Sequence, residues 1–242
     1  MGQILYQGMA GRITVREEGR CRRLYIGEMM QGGICLDDPT ACTFPVTEGF
    51  HQITALREQP PERILIIGLG AGELPRSFLR RFPKSRIRVV EIDPVVVQVA
   101  RRHFFLPHHR RLEVVVADGY ADLARSPERY DLIVLDACGP EGLPQPFRGD
   151  PFLRLAAARL TPNGMLAANL FDLSEAGDGA ERFARAAARF FPERHLLPVG
   201  DRGSFAYLNQ LLFCGLRPDR GDQGRAAPPA EGYAGVLRVV RS

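Results

Sequence analysis

The stretch that decides the fold runs from residue 64 to residue 73 and reads Ile64-Leu-Ile-Ile-Gly68-Leu-Gly70-Ala-Gly72-Glu73. Its apolar first half is typical of a strand that is buried on both faces of a sheet. Three glycines follow at alternate positions, where the backbone turns sharply and a ligand can approach without a Cβ in the way. Residues 73–82 then have helical character. We therefore predict a strand, a glycine loop and a helix.

The loop also indicates which ligand it suits. The N-terminus of the following helix offers free N–H groups and the positive end of a dipole. The glycines are spaced G-x-G-x-G, and Glu73 stands where a dinucleotide-binding fingerprint has its third glycine. An acid there disfavours a diphosphate, whereas a nucleoside without phosphates that carries a cationic sulfonium fits it. A tight structural turn would give a similar sequence, so the loop alone does not decide the function.

Strands and helices alternate on the C-terminal side of the loop. We predict strands at 86–91, 112–117, 130–135 and 165–170, and helices at 94–105, 120–125, 150–160 and 179–191. Such alternation with mostly apolar strands favours a parallel sheet covered by helices on both faces, an α/β fold. Two further strand-like runs, at 195–199 and 205–214, are separated by too few residues for a helix. We expect them to form an antiparallel hairpin.

The ends of the chain follow other patterns. The first fifty residues read as short β segments at 4–6, 12–16 and 23–26 without a helical period, and Pro60-Pro61 marks a boundary. The last residues are rich in Gly, Pro, Asp and Arg. We predict an N-terminal β-rich domain over 1–58, a Rossmann-like nucleoside-binding domain over 59–216 and a flexible tail over 217–242. Within that tail, residues 236–240 are apolar enough to add a strand.

Composition excludes several classes of protein. The chain has 242 residues, of which 45% are hydrophobic, and 32 Lys and Arg against 28 Asp and Glu give a net charge of +4. Acids and arginines are interleaved without a basic block, so no nucleic-acid partner is predicted. No apolar run is long enough to cross a membrane. The N-terminus lacks the order of a signal peptide, and a cytoplasmic location is the simplest expectation.

Cysteine and histidine spacing predicts no metal site. The five cysteines are odd in number and form no Cys-x-x-Cys, so reduced thiols are expected. The adjacent pair His108-His109 has no cysteine or acid at ligand spacing, and we expect it on the surface.

Acidic residues follow three of the predicted strands. Glu91 ends the second strand, Asp118-Gly119 follows the third, and Asp136 follows the fourth. In an open α/β sheet, ligands bind beyond the carboxyl ends of the strands. Each acid alone would fit a helix N-cap or a surface turn. Together with the glycine loop they favour a ligand site, in which Glu91 accepts hydrogen bonds from ribose hydroxyls and Asp118 receives an adenine amino group.

These residues resemble the spermidine synthase (polyamine aminopropyltransferase) family of the AdoMet-methyltransferase-like superfamily. The resemblance covers roughly residues 20–215. It is carried by the segments 68–73, Glu91-Ile92-Asp93-Pro94, Asp118-Gly119, 130–136, and Leu24-Tyr25-Ile26 through Gln31. It implies a class I methyltransferase fold, in which a seven-stranded sheet ends in an antiparallel hairpin and follows a small N-terminal β-domain. It also implies that Gln31 lies against a nucleoside donor, with Glu91 at the ribose and Asp118 at the adenine.

The active-site loop departs from this family. The family pattern is Asp-Ser/Ala-x-Asp-Pro-x-Gly, whereas this chain reads Asp136-Ala-Cys-Gly139-Pro-Glu141-Gly142, so glycine replaces the second aspartate. The family's Tyr-x-Glu segment, expected near 44–50, is not evident. Carboxylates hold the ammonium groups of a polyamine and accept a proton from them. Glu141 and Glu48 are the candidate replacements for the missing acid.

The sequence therefore predicts a spermidine-synthase-like transferase that binds an S-adenosyl sulfonium donor and uses Asp136 to orient or deprotonate the nucleophile. The predicted donor site consists of Gln31, Gly68, Gly70, Gly72, Glu91, Asp118 and Gly119. The donor is decarboxylated S-adenosylmethionine for aminopropyl transfer or S-adenosylmethionine for methyl transfer. The acceptor is a small molecule, with a polyamine as the candidate.

Three alternatives stay open at this point. One is a methyltransferase of unknown acceptor, and another is a non-catalytic nucleoside-binding protein. An NAD-dependent dehydrogenase is disfavoured by Glu73 and by the terminal hairpin. The oligomeric state is also open, with a homodimer as the candidate, because an N-terminal β-domain often supplies a dimer surface in proteins that resemble this one.

Overall fold

The computed structural model describes residues 3–42, 44–54, 56–57, 59–139, 142–171, 179–199, 209–215 and 238–239. They form a four-stranded antiparallel sheet and a larger, mostly parallel sheet flanked by helices. The class I methyltransferase-like α/β fold with a small N-terminal β sheet is therefore confirmed.

The N-terminal sheet has its strands in chain order, each antiparallel to the next. They are β1 (Gln3–Gly8), β2 (Gly11–Glu18), β3 (Cys21–Ile26) and β4 (Met29–Cys35). The three predicted segments lie in β1, β2 and β3, whereas β4 was not predicted. Two glycines interrupt its apolar pattern, and Gly33 is required by packing. A Cβ on Gly33 would lie only 2.7 Å from the carbonyl oxygen of Arg22 in β3.

A short helical segment follows this sheet. Helix α1 (Pro45–Phe50) continues into a 3-10 turn over His51–Thr54, so the expectation of no helix in the first fifty residues is wrong. With six residues, α1 is too short to display a helical period in the sequence. Pro45 at its first turn and the fully buried Phe50 and Ile53 explain why it forms here.

The larger sheet has the order β12-β10-β11-β9-β8-β5-β6-β7. Its strands are β5 (Arg63–Ile67), β6 (Arg86–Glu91), β7 (Leu112–Val116), β8 (Tyr130–Leu135), β9 (Leu160–Leu170), β10 (Glu193–Val199), β11 (Asn209–Gly215) and β12 (Arg238–Val239). The helices are α2 (Glu73–Arg81), α3 (Pro94–His103), α4 (Gly119–Arg125), α5 (Asp150–Arg159) and α6 (Gly179–Ala187). Strands β5 to β9 pair in parallel, and β11 runs antiparallel to β9 and to β10. The predicted alternation and terminal hairpin are confirmed.

The C-terminal end of the chain contributes an edge strand to the larger sheet. Arg238–Val239 forms β12, which pairs antiparallel with β10 and adds an eighth strand to the predicted seven. These two residues lie within 236–240, the part of the predicted tail for which a strand is expected, and they pair as one. The rest of the predicted tail lies outside the described residues.

Two hydrophobic clusters fill the space on the two faces of the larger sheet. The first cluster continues into the N-terminal sheet and includes Ile13, Leu24 and Ile34, each fully buried. The two sheets therefore share one core across the predicted boundary. Among the residues that the structure describes, no helix is both long enough and apolar enough to cross a membrane.

A buried arginine on α2 connects the parts of this core. Arg76 is 8% exposed, and its guanidinium donates to the carbonyl oxygens of Ala71 (2.8 Å), Phe104 (2.6 Å) and Gly33 (3.4 Å). Burial lowers the pKa of Arg76 to about 10, so the side chain remains a cation at neutral pH. It joins the glycine loop, the end of α3 and strand β4.

Candidate active site

The glycine loop lies at the carboxyl end of β5, between the segment that follows β8 and strand β4. Gly68 and Gly70 have positive φ angles of 101° and 51°, a region that strains L side chains. A Cβ on Gly68 would overlap the carbonyl oxygen of Asp136, and a Cβ on Gly70 would lie 2.6 Å from the carbonyl oxygen of Gln31. Both glycines thus bring predicted site residues into contact with the loop. Gly72 ends the loop as the N-cap of α2.

Glu91 lies at the base of the loop and is 8% exposed. One carboxylate oxygen accepts from the backbone N–H of Leu69 at 2.9 Å, and the other accepts from Asp93 at 3.0 Å. Burial raises the pKa of Glu91, although these two hydrogen bonds oppose the rise. The side chain of the next residue, Ile92, is 52% exposed. Glu91 therefore fixes the loop, and the neighbouring Ile92 presents an exposed apolar side chain.

Asp118 and Gly119 lie at the same edge of the sheet, where the N–H of Ala117 donates to the carbonyl of Glu91 at 3.0 Å. Asp118 is exposed and accepts from the N–H of Ala121 at 2.7 Å, so it caps α4. A Cβ on Gly119 would lie 2.5 Å from the Ile67 side chain. Both residues therefore have a structural role, and their donor-binding role stays a prediction.

Asp136 follows β8 and lines a cavity beside the glycine loop. One of its carboxylate oxygens accepts from the side-chain amide of Asn169 at 2.9 Å. Burial raises the pKa of Asp136, the Asn169 hydrogen bond opposes this, and the negative charge of Glu73 adds to the rise. An acid with a raised pKa in a cavity is suited to accept a proton from a substrate.

Sequence reasoning missed Asn169, which lies in β9 and is 5% exposed. Its side-chain oxygen has no hydrogen-bond partner among the described residues, and the residue lines the same cavity as Asp136. A buried amide oxygen without a partner is costly unless a ligand donates to it. Asn169 is the one polar residue in the predicted strand 165–170 and stands near its carboxyl end, which is the signal that could have found it.

The cavity has a volume of about 750 Å³. Its described lining residues include three carboxylates, Glu28, Glu73 and Asp136, and no basic side chain. Apolar walls come from residues such as Met30 and Phe44, and the predicted residues Gln31 and Gly70 also line it. The other predicted donor-site residues, which are Gly68, Gly72, Glu91, Asp118 and Gly119, lie outside this lining. The charge of the cavity favours a cationic ligand.

Glu73 contributes to this cavity from the first turn of α2. It is 6% exposed, and one carboxylate oxygen accepts from the N–H of Phe44 at 3.1 Å. Glu73 and Asp136 line the same cavity, and the negative charge of Glu73 contributes to the raised pKa of Asp136. The sequence indicated Glu73 as an acid that disfavours a diphosphate and fits a cationic sulfonium, but not as a residue of the acceptor site.

The divergent loop after Asp136 is closed by a pair of glycines. Gly139 and Gly142 exchange backbone hydrogen bonds of 3.0 and 2.9 Å. Cys138 also lines the cavity and donates its thiol to the carbonyl of Asn169 at 3.3 Å. Burial raises the pKa of Cys138 to about 12, which keeps it a neutral thiol. Glu141, a candidate replacement for the missing acid, lies outside the described residues.

The second candidate replacement, Glu48, is in a different cluster. Its carboxylate lies 3.3 Å from Nδ1 of His51, whose Nε2 is 2.5 Å from the Ser77 hydroxyl. With Cys42 these residues place three potential metal ligands within 4.8 Å of one another, which the prediction of no metal site did not foresee. Hydrogen bonds within the cluster already engage these groups. Glu48 does not line the cavity with Asp136.

The sheet order, the terminal hairpin and the glycine loop define a class I methyltransferase-like α/β protein. A family model described as the spermine/spermidine synthase domain matches residues 43–191, which is more than half of the chain. The chain belongs to the spermine/spermidine synthase family, and the predicted resemblance is confirmed.

Curated relatives carry two kinds of name. A polyamine aminopropyltransferase of Vibrio vulnificus is 38% identical over 49% of this chain and 40% of that protein. One from Neisseria meningitidis is 27% identical over 81% of this chain and 74% of that protein. An eEF1A lysine and N-terminal methyltransferase of Mus musculus is 32% identical over 76% of this chain and 26% of that protein. This chain thus spans less than half of the first and last of these relatives.

Solved structures show the same fold. A probable spermidine synthase from Corynebacterium glutamicum superimposes with a TM-score of 0.83 at 21% identity, covering 98% of this chain and 90% of that one. Human methyltransferase-like protein 13 in complex with SAH gives a TM-score of 0.64 at 27% identity, covering 74% of this chain and 86% of that one. The fold is therefore common to aminopropyl- and methyltransferase structures.

Proposed function

We propose that this protein transfers the aminopropyl group of decarboxylated S-adenosylmethionine to a small amine, with polyamines as the acceptor class. The observation that carries the proposal is the charge of the cavity, which has three carboxylates and no basic side chain among its described lining residues. Such a cavity attracts ammonium groups. The names of the bacterial relatives support the same activity.

The charge of the cavity also favours one donor over the other. S-adenosylmethionine carries a carboxylate that its decarboxylated form lacks. Glu73 at the start of α2 and Asp136 after β8 would repel that carboxylate, whereas they attract the terminal ammonium of the aminopropyl group. The donor's nucleoside is expected beside the glycine loop and over the exposed Ile92. The backbone N–H groups of Leu69, Ile92 and Asp93 already donate to Glu91, so about one of the roughly four hydrogen bonds that a carboxylate accepts is left for a ribose hydroxyl.

The reaction forms a bond between the acceptor nitrogen and the methylene carbon beside the sulfonium. The carbon–sulfur bond breaks with its electron pair on sulfur, and methylthioadenosine leaves as a neutral thioether. The acceptor amine enters as an ammonium ion and must lose a proton before its nitrogen can attack. Asp136 is the proposed acceptor of that proton, because its pKa is raised and it borders the cavity.

Glu73 and Glu28 are the proposed substitutes for the family's missing aspartate at Gly139. They reach the cavity from α2 and from the β3–β4 turn, so the acceptor site keeps several carboxylates although the loop has lost one. The unpaired oxygen of Asn169 supplies a further acceptor for an amine N–H. These groups would position the acceptor nitrogen in line with the sulfonium, which is the main requirement of the transfer.

Methyl transfer from S-adenosylmethionine is the second candidate function. It is favoured by the similarity to the mouse methyltransferase and to the human structure with SAH. Glycine at position 139 fits it as well, because a methyl acceptor does not require an ammonium-binding aspartate there. The cavity carboxylates make it the weaker of the two.

A direct test incubates the protein with each donor and a panel of diamines and polyamines, and identifies products by mass spectrometry. We expect a mass gain of one aminopropyl group on an amine, with methylthioadenosine as coproduct, only with the decarboxylated donor. A methylated product with S-adenosylmethionine would select the second function. Calorimetric binding of methylthioadenosine without turnover would instead indicate a non-catalytic nucleoside-binding protein.

Replacing Glu73 by glutamine tests whether the Glu73 carboxylate takes the place of the family's missing aspartate. Loss of one charge-assisted contact, worth about 1.5–3 kcal/mol, is expected to raise KM for the amine roughly tenfold or more. Because the charge of Glu73 raises the pKa of Asp136, its removal lowers that pKa. The acidic limb of the kcat/KM profile should therefore move to lower pH, which steady-state kinetics across pH would measure.

Glutamine retains an oxygen that can accept from the N–H of Phe44, so the variant keeps this structural contact. Glu48→Gln is the matched control, since Glu48 lies outside the cavity lining and is expected to leave KM and the acidic limb unchanged. Equal behaviour of the two variants would remove Glu73 from the acceptor site.

A further inference from the structure

Two of the five cysteines lie opposite each other in the N-terminal sheet. Cys21 in β3 pairs with Cys35 in β4 in the antiparallel register. The next pair of opposite residues is Arg20 and Leu36, and the N–H of Leu36 donates to the carbonyl of Arg20 at 2.8 Å. Arg20 and Leu36 are therefore a hydrogen-bonded pair of the two strands. Because the two kinds alternate, Cys21 and Cys35 form a non-hydrogen-bonded pair, with Cα atoms about 4.5 Å apart. That separation lies within the usual range for a disulfide, about 4.4–6.8 Å.

The two thiols share the outer face of the sheet. Side chains alternate along a strand, and the fully buried Leu24 and Ile34 occupy the opposite face. Cys21 and Cys35 are each half-buried and have free thiols. Both side chains therefore extend from one face toward the same space and remain accessible to a small reagent.

We propose that Cys21 and Cys35 form a site of reversible oxidation, which reacts with a low-molecular-weight disulfide of the glutathione class. One cysteine thiolate attacks a glutathione disulfide sulfur and forms a mixed disulfide, with one glutathione thiolate leaving. The second cysteine thiolate then attacks the protein sulfur and displaces the other glutathione. The two cysteines lose two electrons and two protons, and one glutathione disulfide becomes two glutathione thiols.

The remaining cysteines differ in environment. Cys214 is buried, Cys138 lies in the cavity with its thiol on the carbonyl of Asn169, and burial raises the pKa of both thiols. Cys42 contacts the Ser77 hydroxyl at 3.9 Å and belongs to a cluster with Glu48 and His51 that contains no second cysteine. The cross-strand pair is thus the one that geometry favours for an intramolecular disulfide.

The disulfide would act on the hairpin that forms one wall of the cavity. Strands β3 and β4 are joined by a turn, and the residues from Ile26 to Gly32 at that end line the cavity. The two cysteines lie at the opposite end of the same hairpin. A bond between them closes the hairpin into a covalent ring and limits its opening.

The experiment equilibrates the reduced protein in a buffer with equal concentrations of reduced and oxidised glutathione, followed by alkylation and Glu-C peptide mapping. We expect the dominant product to contain one intramolecular link between Cys21 and Cys35. Hydrogen exchange within the hairpin should slow several-fold on oxidation. Cys21→Ser and Cys35→Ser should each remove the linked peptide, whereas Cys42→Ser should leave it in place.

Two outcomes would overturn the proposal. One is that both thiols stay reduced, and are therefore fully alkylated after the equilibration, while circular dichroism shows that the protein is folded. The other is that the link joins different cysteines. Neither outcome depends on turnover, so the oxidation site and the proposed transferase activity succeed or fail separately.

Discussion

Asp136→Asn is expected to lower kcat for aminopropyl transfer by about 10²–10⁴-fold, the usual contribution of a positioned general base. Asparagine is isosteric and keeps an oxygen that can accept from Asn169, so the substitution removes the proton acceptor with little change of shape. The measurement is steady-state turnover with decarboxylated S-adenosylmethionine and the amine that the product screen identifies.

The pH dependence distinguishes a base from a merely structural residue. A protonated Asp136 cannot accept a second proton, so kcat/KM of the unmodified protein should fall as pH falls through its raised pKa. The variant should lack this acidic limb and bind methylthioadenosine with unchanged affinity by calorimetry. Turnover equal to that of the unmodified protein would exclude Asp136 from the mechanism.

Gly68→Ala is expected to lower the free energy of unfolding by about 3 kcal/mol, through backbone strain and overpacking together. The residue has a φ of 101°, and a Cβ there would overlap the carbonyl oxygen of Asp136. Both obstacles are backbone features, which a side-chain rotation cannot relieve. Urea unfolding followed by circular dichroism measures the change.

Gly139→Ala is the control in the same region. A Cβ on Gly139 would meet no heavy atom of the described residues within 4 Å, and a change within about 0.5 kcal/mol is expected for such a position. If Gly68→Ala unfolded at the same urea concentration as this control, the close approach of the loop to Asp136 would not be a determinant of stability.

Much of the fold could be predicted because its strands are apolar and its helices are long enough to show a period. Strands β5 to β9 and the terminal hairpin are predicted from apolar runs, which differ from the helical period of the segments between them. Helix α1 could not be predicted, since six residues show no period, and the glycines of β4 disguise a strand. Both exceptions are determined by packing against distant segments rather than by local preference.

The site was predictable to the extent that sheet topology determines it. Asp136 and the glycine loop follow strands that end at one edge, so they meet. The cavity roles of Glu73 and Asn169 depend on which side chains face inward after folding, and no spacing in the sequence reveals that. The pairing of Cys21 with Cys35 likewise depends on the register of two strands.

Arg76 has a consequence for how this protein can be divided or recombined. Its guanidinium donates to carbonyls at the end of α3, in the glycine loop and in β4 at once. A lysine ammonium could not replace it, because lysine lacks the planar fork of N–H donors. Removing the N-terminal sheet would leave a buried cation short of one acceptor and open the wall of the cavity. The sheet is therefore not an interchangeable module, and a functional chimera has to inherit it together with α2.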